Sequence, residues 1–447
     1  MTAPIVAIVG RPNVGKSTLL NRLAGRRIAV VADLPGTTRD RIFAAVSWEG
    51  RDLTVVDTGG WQANPQSSLE QKVRYQVEAA IARADAIIFL VDGREGPIAA
   101  DEEIADWLRQ ADRPMLLVVN KVDSPRQAEQ VPDFYRLGAG EPVAISAYHN
   151  RGIRPLMDTL LAALPEQPES TTRSEQTRLA IVGRPNVGKS TLLNALLGDE
   201  RAIVDDSPGT TRDSLDAVIR WRRREIVLID TAGIKRRGRV EAGIDYYSLL
   251  RALQAINRCD VALLLVDAGE FITAQDMHVA GYVIEAGKGM MVAVNKWDLV
   301  PDEHRREFKQ KAERRLRFAP YTPIVYVSAQ MSQGVNKILP QAWEIWQERQ
   351  KRVPQSEVSE LVKEATATHP PPRTGSRRLR ILRAYQDEAH AATFVFEVND
   401  PKLIHFSYHR YLENKLREDL GFGGVPLRLL FTKAKRKMDV KTQVRAK

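Results

Sequence analysis

One cysteine, Cys259, serves all 447 residues, so no disulfide can close within the chain and a disulfide scaffold is excluded. Its place just before the apolar run VALLLVD marks it as a buried structural thiol. Long apolar runs are missing too. The longest, such as VALLLV at 261–266, fall far short of the roughly 20 residues that a membrane helix needs. No basic region or cleavage pattern precedes the first strand-like run, MTAPIVAIVG, so no secretion signal is expected and the chain is read as cytoplasmic. Sustained heptads are absent, which favours a monomer.

What is present has ordinary globular composition, 43% apolar and 27% charged, in a length that suits roughly two to four domains. The net charge of +10 is unevenly spread: residues 351–447 hold 20 Lys and Arg against 11 Asp and Glu, leaving the first 350 residues nearly neutral. A positive region concentrated in this way suits nucleic acid or an anionic surface.

The stretch GRPNVGKSTLLN at 10–21 returns unchanged at 183–194. PGTTRD at 35 is answered at 208, DTGG at 57 by DTAG at 230, NKVD at 120 by NKWD at 295, and SA at 146 by SA at 328. Constant order with slowly growing offset means two copies of one domain. The second gains residues after its NKWD, around VPDEHRREFKQKAERRLRF, which reads as a longer charged surface helix. In each copy continuous apolar runs such as PIVAIVG, AIIFLVD and MMVAVN alternate with amphipathic stretches, the pattern of a doubly wound α/β domain with a parallel sheet. Domain 1 is assigned to 1–164 and domain 2 to 178–350. Between them PEQPESTTRSEQT, 165–177, lacks aliphatic and aromatic residues and is expected to be an extended linker that lets the domains move.

The first repeat contains G-x-x-x-x-G-K-S within Gly10, Arg11, Pro12, Asn13, Val14, Gly15, Lys16, Ser17 and Thr18. The second contains it within Gly183, Arg184, Pro185, Asn186, Val187, Gly188, Lys189, Ser190 and Thr191. Glycines let backbone N–H groups curl around phosphates at a helix N-terminus, the lysine reaches the β and γ phosphates, and the serine offers Mg²⁺ a hydroxyl. Asp123 and Asp298 can each accept two hydrogen bonds from the N1–H and amino group of guanine, a donor pair that adenine lacks. Asn120 and Asn295 brace the loops, Lys121 and Lys296 lie over the base, and Ser146, Ala147, Ser328 and Ala329 complete the pocket through backbone contacts.

Both copies therefore resemble the translation-factor class of small GTPases. The resemblance implies that Asp57 and Asp230 hold the Mg²⁺ shell, within Asp57-Thr58-Gly59-Gly60 and Asp230-Thr231-Ala232-Gly233. It also implies that Gly60 and Gly233 sense the γ-phosphate, and that Thr38 and Thr211 ligate Mg²⁺ when GTP is bound. The glutamine that orients water in Ras-like proteins is replaced by Trp61 and Ile234, so slow intrinsic hydrolysis is expected. Asn13 and Asn186 occupy the place at which related GTPases bind K⁺ beside the phosphates; K⁺ is therefore the expected activator. Arg39 and Arg212 are read as surface or partner contacts.

From Lys351 the order is α-β-β-α-β, a small α+β module at 351–437 followed by a basic tail at 438–447. Tandem GTPase domains with such a module resemble the Der (EngA) family of bacterial GTPases, whose C-terminal domain is KH-like. The family implies a role in maturation of the large ribosomal subunit and contact with its rRNA. GFGG at 421–424 follows a helix and precedes a strand, so it is read as a helix cap and turn rather than a nucleotide clamp. His405 and His409 lack the partners of a metal site. IKRRGRVEAG, after the second DTAG, adds four positive charges in a switch region.

Overall fold

The computed structural model describes residues 4–24, 43–49, 51–58, 77–78, 80–111, 113–164, 176–198, 203–205, 216–231, 244–374 and 377–434. Thr38, Gly59, Gly60, Trp61, Thr211, Ala232, Gly233 and Ile234 lie outside them, as do Arg39, Arg212, most of the 165–177 stretch and the 438–447 tail.

Domain 1 carries β1 (Ile5–Val9), β2 (Phe43–Trp48), β3 (Arg51–Asp57), β4 (Ala86–Asp92), β5 (Met115–Asn120) and β6 (Val143–Ala144) in the spatial order β2-β3-β1-β4-β5-β6. All neighbours are parallel except the β2–β3 hairpin at the edge. β1 and β4 are buried along their whole length, because helices cover both faces of the sheet. Domain 2 repeats this with β7 (Thr177–Val182), β8 (Ile203–Asp205), β9 (Ala217–Trp221), β10 (Arg224–Ile229), β11 (Val261–Asp267), β12 (Gly289–Asn295) and β13 (Ile324–Tyr326), ordered β13-β12-β11-β7-β10-β9-β8. The antiparallel edges were not legible in the apolar runs. The β9–β10 turn is made by Arg222 and Arg223 at φ 47° and 64°, left-handed positions for which Asn-Gly is the usual signal.

The extra length of domain 2 is the Asp302–Arg315 helix, whose one fully buried residue is Ala312. Domain 1 has the shorter Pro125–Glu129 helix and a 3₁₀ segment Val131–Leu137 in that place. β7 begins at Thr177, fully buried, so the last residue of the expected linker belongs to domain 2. The expectation of freely moving domains also meets a packed contact. Leu250 and Leu253 of the Ile244–Arg258 helix enter the domain 1 core beside Val77 and Ile81. Asn257 Nδ2 donates to Thr54 Oγ1 at 2.9 Å and Arg83 to Gln254 Oε1 at 2.8 Å across the same boundary. Linker composition says nothing about what faces meet elsewhere.

The C-terminal module holds the Gln355–Thr368 helix, a two-rung hairpin β14 (Arg373–Thr374) and β15 (Arg377–Arg378), then β16 (Ile381–Gln386), β17 (Thr393–Val398), the Phe406–Leu420 helix and β18 (Arg428–Lys433). Its sheet runs β16-β17-β18, antiparallel then parallel. The two helices are joined by Tyr411 and Tyr408, whose hydroxyls donate to the carbonyls of Ala365 and His369 at 3.0 Å each. His405 is the N-cap of the second helix, its Nδ1 accepting from Ser407 N–H.

GFGG is the knuckle by which this module docks on domain 2. Gly421 caps the Phe406–Leu420 helix, as expected, but Gly424 N–H also donates to Tyr321 O at 2.8 Å and its carbonyl accepts from Met290 N–H at 2.7 Å. Phe422 is fully buried, and its N–H donates to Glu348 Oε2 at 2.7 Å. Arg417 lies over the Tyr321 ring at 3.7 Å and donates to the carbonyls of Phe422 and Val425. A single apolar cluster runs unbroken from Ile345 of domain 2 to Phe422 and Phe396 of the module.

Gly424 sits at φ +70°, and a Cβ there would stand 2.5 Å from Ile345 Cγ1. Gly424→Ala is therefore expected to cost about 1–3 kcal/mol through overpacking and backbone strain. Denaturant unfolding followed by the fluorescence of Trp343 and Trp346 measures this; an unchanged midpoint would show that the contact does not hold the module.

Candidate active sites

In each sheet the first strand lies between two later strands, β3 and β4 or β10 and β11, so successive connections pass to its two sides and open a crevice at the strands' carboxyl ends. The four motifs of each copy meet there. In domain 1 the loop after β1 runs into the Lys16–Ala24 helix, DTGG begins at the last residue of β3, NKVD at the last residue of β5, and Ser146 follows β6.

The loops are shaped from the backbone outward. Asn13 and Asn186 adopt φ 65° and 63°, and Gly15 and Gly188 adopt φ 100° and 98°. Val14 and Val187, each 1% exposed, anchor the loops in the cores, while Pro12, Thr18 and Thr191 stay at the surface. Lys16 Nζ folds back to donate to Gly10 O at 3.0 Å and Arg11 O at 2.7 Å; Lys189 does the same to Gly183 O at 2.8 Å and Arg184 O at 2.5 Å. Burial pushes both ammonium groups down to about 8. Asp57 draws Lys16 back up while Arg11 opposes it, and Asp276 draws Lys189 up.

Asn120 ties the phosphate loop to the base loop: its Nδ2 donates to Val14 O at 2.8 Å and its Oδ1 accepts from Ala147 N–H at 3.0 Å. Asn295 repeats this with Val187 O and Ala329 N–H, each at 2.9 Å. A Cβ on Gly15 would stand 2.4 Å from Asn120 Nδ2, and one on Gly188 2.3 Å from Asn295 Nδ2, so the asparagine in this place requires glycine opposite it. Lys121 and Lys296, at φ 66° and 61°, pair with Asp92 and Asp267 at 2.5 Å.

Asp123 accepts from Ser146 Oγ at 2.7 Å and from Arg94 at 2.6 Å, and these two donors, Ser146 foremost, hold its carboxyl below the usual range. Asp298 is exposed on a short 3₁₀ turn, Trp297–Leu299, which is tied to the next loop by Trp297 N–H donating to Val327 O at 3.0 Å; Ser328 is buried and its Oγ accepts from Met331 N–H. Arg94 was not legible as a site residue, since the matching position in the second copy is Gly269.

Ser17 Oγ donates to Asp57 Oδ2 at 2.6 Å, bringing two hard oxygen donors together beside Lys16. That donor pair fits Mg²⁺, a cation that takes few protein oxygens and leaves the rest of its shell to water and phosphate. Thr58, buried behind them, donates to Ile8 O at 2.8 Å. In domain 2 Asp230 lies one residue beyond β10 at φ 59°, its N–H donating to Asp216 Oδ1 at 2.9 Å, and Arg258 grips that same aspartate. The copies are thus not superimposable at this residue, although Thr231 is buried like Thr58.

Arg11 and Arg184 face away from the loop centre. Arg11 pairs with the fully buried Asp101 at 2.7 Å and with Glu95 at 3.0 Å; Arg184 pairs with Asp276 at 3.0 Å and Glu270 at 2.7 Å. Asp101 and Asp276 escaped the motif reading. Their signal was in the repeat itself: both stand in Ala-x-Asp, at the same spacing as Asn120 and Asn295.

Comparison with known proteins bears on the whole chain. The family described as "50S ribosome-binding GTPase" matches residues 5–121 and again 178–296. The "KH-domain-like of EngA bacterial GTPase enzymes, C-terminal" matches 352–432. The chain is 48% identical over 446 residues to GTPase Der of Chloroflexus aggregans, covering 98% of this chain and 99% of that protein. It is 50% identical to GTPase Der of Chloroflexus aurantiacus, with the same coverage, and 48% identical to that of Thermomicrobium roseum, covering 98% and 97%. The chain belongs to the GTPase Der family. As a Der protein it is a GTP-binding hydrolase with two GTPase domains and a KH-like C-terminal domain, within a family of ribosome-associated GTPases. No helix among the described residues is long and apolar enough to cross a membrane.

The asparagine strut generates a stability test for each Der domain. Asn120→Ala leaves the Val14 carbonyl and the Ala147 N–H unpaired in the interior, at a cost of about 1–3 kcal/mol for each stranded group. Denaturant unfolding is expected to show domain 1 weakened by Asn120→Ala and domain 2 by Asn295→Ala; an unaltered curve for both variants would remove the strut from the account.

Proposed function

We propose that this chain is a nucleotide-controlled assembly factor for the large (50S) ribosomal subunit, hydrolysing GTP to GDP and phosphate at two sites. Bound nucleotide sets the arrangement of three units, 1–164, 178–350 and 351–437, and the basic module meets rRNA. The observation that carries this is the joining of both GTPase domains, through the packed Ile244–Arg258 helix and the GFGG knuckle, to a module holding most of the net charge.

In each site Asp123 or Asp298 accepts the two guanine donors, with Arg94 exchanged from Asp123 as the base enters. Lys121 and Lys296 flank the ring, and Asn120 and Asn295 keep the base loop in register with the phosphate loop. The N–H groups of the loop and Lys16 or Lys189 cradle the phosphates, and contact with the anion favours the ammonium form against its burial. Ser17, Thr38 and Asp57, and likewise Ser190, Thr211 and Asp230, would hold Mg²⁺, whose charge would offset that on the phosphate oxygens. Gly60 and Gly233 report the γ-phosphate. With Trp61 and Ile234 in place of a water-orienting glutamine, hydrolysis is slow unless another cation assists, and Asn13 and Asn186 offer amide oxygens for K⁺. The protein works in the cytoplasm as a monomer.

Two measurements test this. In sedimentation with purified large subunits, binding is expected with a non-hydrolysable GTP analogue and not with GDP; no binding in either state overturns the ribosomal role. Turnover is expected to be faster in KCl than in NaCl, with the difference lost on Asn13→Gly and Asn186→Gly. Glycine keeps the left-handed backbone and removes only the amide, so equal rates of the unsubstituted protein in both salts would falsify the K⁺ assignment.

A further inference from the structure

A second basic surface lies apart from both GTPase sites. The C-terminal end of the Gln355–Thr368 helix, the β14–β15 hairpin, the start of β16 and the turn at 399–403 enclose a groove of about 1720 Å³. That is larger than the roughly 300–1,000 Å³ of ordinary small-molecule pockets. Arg373, Arg377, Arg378, Arg380, Lys402 and Lys433 line it against a single carboxylate, Asp400. All six cations are exposed, and none has an acidic partner among the described residues.

Two features set this groove apart from a merely solvated charged face. Arg373 stands directly opposite Arg378 in the β14–β15 ladder, and like charges in that relation repel. The hairpin is nonetheless held firmly: Arg378 Nε donates to Pro371 O at 3.0 Å, Asn399 Nδ2 to Arg378 O at 2.9 Å, and Arg380 N–H to Asn399 Oδ1 at 2.9 Å. An anion shared between the arginines relieves the repulsion that the fold itself imposes. Apolar surface lies among them as well, since Leu382 is 61% exposed at the groove wall. Cations with an exposed apolar side chain among them suit a strand whose phosphates and bases both need partners.

The glycine-rich stretch GFGG is occupied here. Gly424 and Phe422 are spent on Tyr321, Met290 and Glu348, and that edge of the module is covered by domain 2.

We infer that the module binds ribosomal RNA through this arginine-lined groove, with its phosphates on Arg373, Arg377, Arg380 and Lys402, and not through GFGG. The inference rests on the ribosomal reading above and names the surface that serves it.

The test uses the full chain with Arg373, Arg377, Arg380 and Lys402 replaced by Ala, measured against protein-free large-subunit rRNA and against intact large subunits over a range of salt. A control replaces Arg306, Arg314, Arg315 and Arg317, equal in charge but on the domain 2 surface. A Lys variant of Arg373, Arg377 and Arg380 retains the charge. Affinity of the Ala variant for rRNA is expected to fall by about tenfold or more, with the slope of log K against log salt reduced by about three. The control and the Lys variant are expected to bind within a few-fold of the unsubstituted chain, and GTP hydrolysis is expected to be unchanged in all. If the Ala variant binds rRNA as tightly as the unsubstituted chain, the groove is not the RNA path while the ribosomal role stands. Loss on intact subunits but not on protein-free rRNA identifies a ribosomal protein as the partner and overturns the inference. If the unsubstituted chain binds neither, the ribosomal role fails and the groove with it.

Discussion

A buried side-chain amide governs the geometry of both GTPase sites. Asn120 holds the Val14 carbonyl on one side and the Ala147 N–H on the other, and Asn295 does the same in the second copy. The phosphate loop and the base loop come from strands far apart in the chain. Both loops are seated in one apolar cluster, through Val14 and Ala147 in the first copy and Val187 and Ala329 in the second, and the directional bond between them sets the span from one to the other. Such a bond in the interior is stronger than at the surface, and its loss strands two backbone groups. The same amide fills the space that a side chain on Gly15 or Gly188 would need. Two motifs that look independent in sequence are one steric unit.

Around that unit the copies diverge in their charges. Arg94 pairs with Asp123 in the first, where the second has Gly269. Asp57 ends a strand and receives the Ser17 hydroxyl, whereas Asp230 lies past its strand in a left-handed conformation, tied through Asp216 to Arg258. Arg258 ends the helix whose earlier turns, Leu250 and Leu253, are buried in domain 1. The environment of Asp230 is thereby connected to the contact between domains.

The C-terminal module shows how a loop's chemistry depends on what covers it. GFGG has the glycines a nucleotide clamp needs, but those glycines let the backbone of Gly424 pass within bonding distance of Tyr321 and Met290. With GFGG covered by domain 2, exposed positive charge of the module gathers at the β14–β15 hairpin, where arginines confront one another across a ladder.

Much of this protein was determined locally. The repeat, the doubly wound fold and the meeting of the four motifs at the strands' carboxyl ends were legible because each depends on residue type at fixed spacing: glycine for close backbone approach, apolar runs for strands covered on both faces. The surface helix of domain 2 and the α-β-β-α-β order were legible for the same reason. The tertiary structure decided what spacing does not encode: the pairing of Arg11 with Asp101, the grip of Arg94 on Asp123, the packing of Leu250 against domain 1, and the burial of GFGG. Each of these joins residues tens to hundreds of positions apart. Their energies arise only once folding has removed water from between two surfaces, and a linear pattern carries no record of which surfaces those are.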